Sequence, residues 1–109
     1  MVTEPTFVYR ARLNRVVDGD TIRADLDLGM GIWAHNVSLR LLGFDAPEVV
    51  GARRADGIAA RAHLQSLLPE DFIVETVKDK SDKYGRYLAT IWVDGVNVNE
   101  VAARFVPTA

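Results

Sequence analysis

At 109 residues with a formal net charge of −2, the chain has the size of one domain around one modest core. A hydrophobic fraction of 49% excludes disorder, and the absence of cysteine excludes both a disulfide framework and a thiolate zinc site. The acidic balance excludes a surface that grips nucleic acid everywhere, yet ten of the 13 basic residues are arginine, which favours a local site with specific phosphate contacts.

The opening MVTEPTFVYRARLNR has no unbroken apolar stretch of the signal-peptide kind, and no later run approaches membrane-spanning length. The expectation is a cytoplasmic protein without a membrane partner, a single domain over 1–109 with residues 1–6 as a flexible start. From residue 7 to 17, Tyr9, Ala11 and Leu13 alternate with Arg10, Arg12 and Asn14, as on a half-buried strand. The Asp18-Gly19 turn leads to a second strand, in which Ile22, Ala24 and Leu26 alternate with Arg23, Asp25 and Asp27. LGMG breaks the pattern. A third strand sets Val37, Leu39 and Leu41 against Asn36, Ser38 and Arg40, and ends between Gly43 and Pro47.

Gly51 to Gly57 reads as a polar, arginine-bearing loop. Beyond it, IAARAHLQSLL has helical spacing, with Ala60, Leu64, Leu67 and Leu68 on one face until Pro69 stops it. Phe72–Val77 and Tyr87–Val93 are rich in aromatic and β-branched residues and read as strands separated by the charged loop KDKSDKYGR. Asp94-Gly95 is a tight-turn signal. Asn97 with Glu100 three residues on forms a capping box for a short helix, with Val101 and Phe105 expected on its inner side. Five short strands with so little helix cannot cover both faces of an open sheet. The order βββαββα therefore predicts an α+β fold built on a five-stranded OB-fold barrel.

Three short segments carry the chemistry: VVDGDT with Asp20, RLLGFDAPE with Arg40, Asp45 and Glu48, and DKYGR with Arg86. Carboxylate oxygens are the ligands that Ca²⁺ and Mg²⁺ prefer, and guanidinium forks match phosphate oxygens. Three carboxylates and two arginines on strand ends and turns suit holding a hard cation against a phosphodiester. Each segment alone has a plainer reading as a turn, a helix start or a solvated charge. His35 and His63 read as partly exposed surface histidines, and Trp33 and Trp92 as core or rim packing rather than a base-stacking platform. Lys83 and Tyr84 are candidate substrate contacts. Three converging carboxylates also repel one another without a metal, so neutralising Asp20 is expected to stabilise the metal-free protein.

In this order the segments VVDGDTI, SLRLLGFDAPE, DKYGRYLA and IWVDGVNVNEVAAR resemble the staphylococcal nuclease, or thermonuclease, family from Arg12 to about Arg104. The resemblance implies an OB barrel with attached helices and a Ca²⁺-dependent phosphodiesterase. Its substrates would be DNA, RNA or both, cut with little sequence preference to leave 3′-phosphates. It implies Asp20, Asp45 and the backbone carbonyl of Ala46 as calcium ligands, Arg40 and Arg86 as phosphate-binding catalytic arginines, and Glu48 as the candidate base for the attacking water. Ala46 stands where the family commonly has threonine, and Arg53 and Arg54 where it often has lysines. Longer members carry pocket tyrosines and a further helix beyond FVPTA; without them the expectation is weak nucleotide binding, and a monomer or a homodimer covering the barrel flank. The alternative is a catalytically inert OB module that binds nucleic acid or protein, which has no chemical need for all five charged residues.

Overall fold

The computed structural model describes residues 7–78 and 86–105. The expected residues 1–6, Lys83 and Tyr84 lie outside them. Three long strands come first, β1 (Val8–Asp18), β2 (Thr21–Gly29) and β3 (Ile32–Leu41), followed by helix α1 (Arg54–Leu67). Strands β4 (Asp71–Lys78) and β5 (Tyr87–Val93), the two-residue strand β6 (Val96–Asn97) and helix α2 (Val98–Ala103) complete the order.

Antiparallel pairing runs β3-β2-β1-β4-β5-β6, and a parallel pairing of β3 with β5 closes the first five strands into a barrel. The closing register sets Leu39 against Tyr87, Arg40 against Leu88 and Leu41 against Ala89. The alternation of the sequence is what closure needs, because every second residue must fill the interior. Ala11, Ile22, Ala24, Leu26, Leu39, Leu41, Val74, Ala89 and Ile91 do so, with Leu64 of α1 and Val98 of α2 joining the same core. Two hairpins use left-handed turn pairs: Met30-Gly31 between β2 and β3, and Asp94-Gly95 between β5 and β6. All four residues have positive φ, as a type I′ turn requires.

Two expectations need correction. The segment read as a loop from Gly51 to Gly57 is a 3₁₀ turn over Gly51–Arg53, and α1 already begins at Arg54. Asp56 lies in its first turn, where a carboxylate opposes the positive end of the helix dipole, and it pairs with Arg53 at 3.3 Å. On α2 the buried face is Val98, Asn99 and Ala102, not Val101 and Phe105. Phe105 instead stacks on His63, with ring centroids 4.3 Å apart; His63 is half-buried, partly exposed as expected, and among the described residues its buried Nδ1 has no hydrogen-bond partner. Trp33 and Trp92 are partly exposed, 36% and 37%, in keeping with rim packing. His35 is on the surface as expected, 3.3 Å from Asp25.

Candidate active site

The β1–β2 hairpin turns at Gly19 and Asp20, and its tip is wedged against α1. A Cβ on Gly19 would lie 2.7 Å from Ala60 Cβ and 2.9 Å from Ala46 Cβ, so only glycine lets the helix and the segment after β3 both press on this turn. The pressure fixes Asp20, which is 7% exposed. Its backbone carbonyl accepts from the Leu41 amide at 2.7 Å. In its carboxylate, Oδ1 accepts from the Thr21 hydroxyl and Oδ2 from the Ala46 amide, each at 2.9 Å. Burying a carboxylate is costly unless such donors satisfy its oxygens.

Arg40 leaves the outer face of β3 directly beside Thr21, its register partner on β2. Its Nη2 lies 3.6 Å from Asp20 Oδ2, donates to the Phe44 carbonyl at 3.4 Å and pairs with the Asp45 carboxylate. Arg86, at the entrance to β5, donates through Nη1 to Thr21 Oγ1 at 3.5 Å. Thr21 therefore relays between Arg86 and Asp20. The expected repulsion among carboxylates is accordingly not what the geometry presents, because a guanidinium stands between Asp20 and Asp45.

One cavity of about 340 Å³ gathers these groups, lined by Asp18, Asp20, Arg40, Asp45, Ala46, Glu48 and Arg86. Six sequence-expected residues thus meet at one place. A larger open groove of about 770 Å³ runs past Arg10, Pro69, Ile73 and Trp92 on the far wall, and holds no comparable set of carboxylates and arginines. Among the described residues, no three Asp, Glu or His side chains converge closely enough to form a metal cage, since the Asp45 carboxylate is turned onto Arg40. Hard oxygen donors nonetheless line the cavity, which is the chemistry a calcium ion takes.

Four contributors are absent from the sequence reading of the site. Asp18 and Thr21 flank Asp20 in the same motif. Asn99 is buried in α2, where its amide donates to the Leu42 carbonyl at 3.0 Å and the Ala89 carbonyl at 2.8 Å while its oxygen accepts from the Ile91 amide at 3.0 Å. It thereby fixes the chain where it leaves β3 toward Asp45. The fourth is Gly57, whose added Cβ would stand 2.0 Å from the Glu48 carbonyl oxygen and 2.7 Å from the Val49 amide nitrogen. Glycine inside a helix costs about 1 kcal/mol relative to alanine, so propensity alone would favour replacement. The contact reverses that sign. Gly57→Ala is expected to lower the melting temperature, as overpacking of about 1–3 kcal/mol does, and to lower activity by displacing Glu48; thermal melts and cleavage rates check both.

The barrel and its cavity define an OB-type domain with an acidic site flanked by arginines. The chain belongs to the family described as staphylococcal nuclease homologue, whose pattern matches residues 38–104. It is 36% identical over 95 residues to "Protein ParB" of Escherichia coli, covering 86% of this chain and 48% of that protein. It is 32% identical over 99 residues to a thermonuclease of Staphylococcus hyicus, covering 83% of this chain and 52% of that one. Against a thermonuclease of Staphylococcus intermedius the identity is 34% over 85 residues, covering 74% and 47%. The chain spans about half the length of these curated relatives.

Proposed function

We propose that this domain is a Ca²⁺-dependent nuclease that hydrolyses phosphodiester bonds of DNA, RNA or both with little sequence preference and leaves 3′-phosphate ends. Family membership supports a nuclease-like function. The observation that carries the finer reading is the meeting of four carboxylates and two arginines around one cavity at the tip of a rigid barrel.

A phosphodiester anion repels nucleophiles, and its transition state gathers further negative charge on the equatorial oxygens. Arg40 is the register neighbour of Thr21 and Arg86 donates to its hydroxyl, so both forks stand where they can bind the phosphate and take up that charge. Glu48, exposed at the cavity lip, accepts the proton of the attacking water. Attack breaks the bond from phosphorus to the 5′ oxygen, so the phosphate stays on the 3′ side. Asp20, Asp45 and the Ala46 carbonyl, with Asp18 beside them, are the groups that would hold Ca²⁺. When bound, the ion supplies charge neutralisation at the phosphate and lowers the pKa of nearby water.

Digestion of single- and double-stranded DNA and RNA tests this directly. Cleavage is expected with Ca²⁺, more weakly with Mg²⁺, whose strict octahedral geometry suits flexible turns less well, and not in excess EDTA. Full activity in EDTA would overturn the metal-dependent mechanism. Absence of cleavage with retained binding would favour the inert module.

A further inference from the structure

The outer face of β1 and β2 follows a charge rule that breaks beside the cavity. Arg10 on β1 stands opposite Asp27 on β2, and Arg12 stands opposite Asp25. Opposite charges set opposite each other in register suit an exposed sheet, although the ion pairs Arg12 makes are with Asp71 at 3.3 Å and Glu70 at 3.9 Å on the other side. In the row nearest the active site, Arg15 stands opposite Arg23. Like charges placed directly opposite are destabilising, so a sheet built only for stability would not carry them.

A bulge causes the arrangement. The β1–β2 register shifts between Leu13 and Arg15, which brings Arg15 rather than Asn14 opposite Arg23. Bulges commonly re-aim a side chain near functional sites. No carboxylate compensates the pair: among the described residues, neither arginine takes part in an ion pair. Asp25, two positions along the same face, is already committed. It accepts from the Asn14 amide at 2.9 Å and the Asn36 backbone amide at 2.8 Å, and its other oxygen faces His35. The Asn14 and Asn36 donors, with His35, hold its carboxyl below the usual carboxylate range. Arg23 donates one N–H to the Asn36 carbonyl at 3.1 Å, which steadies its fork and leaves the guanidinium's other donors.

The pair is continuous with the cavity. Thr21, beside Arg40, precedes Arg23 by two residues on the same face of β2, a step of about 7 Å. Arg15 lies one strand further, about 5 Å across the sheet. We propose that Arg15 and Arg23 form a phosphate-binding track that leads from the Arg40 cavity across β2 and β1 and takes the backbone of a nucleic-acid strand beyond the bond being cut. Its direction rests on the nuclease reading above; its existence as a polyanion site does not. Net charge hides it, because the Arg–Asp rows cancel while this row does not.

The test replaces both residues, Arg15→Gln with Arg23→Gln, against Arg10→Gln with Arg12→Gln as a control of equal charge change. The track variant is expected to melt at or above the wild-type temperature, since it loses a repulsive pair. Binding of a fluorescent single-stranded oligonucleotide in EDTA is expected to weaken on the order of tenfold at low salt. The slope of log K against log salt should become shallower by about 1.4, or about 0.7 per lost contact to a single strand. The control should shift neither comparably. With Ca²⁺, KM for the oligonucleotide should rise while cleavage of a dinucleotide, too short to reach the track, stays unchanged. Unchanged affinity and slope in the track variant, or equal losses in the control, would overturn the proposal. If the wild type binds through these arginines but cuts nothing, the nuclease reading falls and the track stands; if it cuts normally and the variant binds like wild type, only the track falls.

Discussion

Arg40→Ala is expected to lower kcat on single-stranded DNA with Ca²⁺ by at least about a hundredfold, the usual cost of removing a donor aimed at developing charge. The geometry adds a second consequence. The Arg40 guanidinium is the group that faces Asp20, Asp45 and the Phe44 carbonyl together, so its loss strips compensation from a carboxylate that is 7% exposed. A destabilisation of about 1–3 kcal/mol follows, visible as a lower melting temperature. Arg40→Lys should restore neither property, because a single ammonium lacks the fork that bridges these oxygens. Arg86→Ala should give a comparable fall in kcat. Arg10→Ala, in the Arg–Asp row far from the cavity, should leave kcat within a factor of about two, as exposed substitutions do. Equal losses in all three variants would show that the site has been misplaced.

The barrel was legible because its interior is written as strict alternation. Ile22, Ala24 and Leu26 all proved buried, and so did Leu39 and Leu41. The turn chemistry of Asp94-Gly95 and the Asn97 cap were equally readable; the Asn97 side chain accepts from the Glu100 amide at 3.3 Å. Residues whose role depends on what lands opposite them were not readable. Gly57 looks like punctuation in one dimension and becomes a close-approach site only when Glu48 folds onto α1. Asn99 looks like a helix residue, yet its value lies in three backbone groups on β5 and after β3. Periodicity likewise cannot announce the bulge that sets Arg15 against Arg23, since the shift belongs to the pairing and not to either strand.

The candidate site divides along the same line. Residue types alone suggested oxygen ligands and phosphate forks, and the resemblance assigned them to numbered positions. That they would share a cavity depends on β3–β5 closure, which carries Arg86 to Thr21 across 65 positions of sequence. The compensation of Asp20 by Arg40, Thr21 and the Ala46 amide was invisible for the same reason, and it changes what a substitution there should do.

On carboxylate repulsion alone, Asp20→Asn would raise the melting temperature of the metal-free protein. The observed contacts predict the opposite sign. The carboxylate accepts from Thr21 and Ala46 and lies beside Arg40, so an amide keeps one good acceptor and loses the charge that faces the guanidinium. The metal-free variant should therefore melt at or slightly below wild type, within about 1 kcal/mol, the scale of one net hydrogen bond. Calcium separates the two proteins. At a hundredfold excess over its Kd, a ligand of the folded state stabilises by about 2.7 kcal/mol, roughly 10 °C or more for a domain this small. Wild type should gain that shift with Ca²⁺ and lose it in EDTA. Asp20→Asn should gain almost none of it, with cleavage falling to background, because an amide oxygen is a poorer partner for a hard divalent ion than a carboxylate. Near-equal melts without metal make this a clean comparison, since a variant that folds but ignores Ca²⁺ has lost a ligand rather than a turn. An equal Ca²⁺ shift in both proteins would show that Asp20 shapes the hairpin through Thr21 and Ala46 and holds no metal.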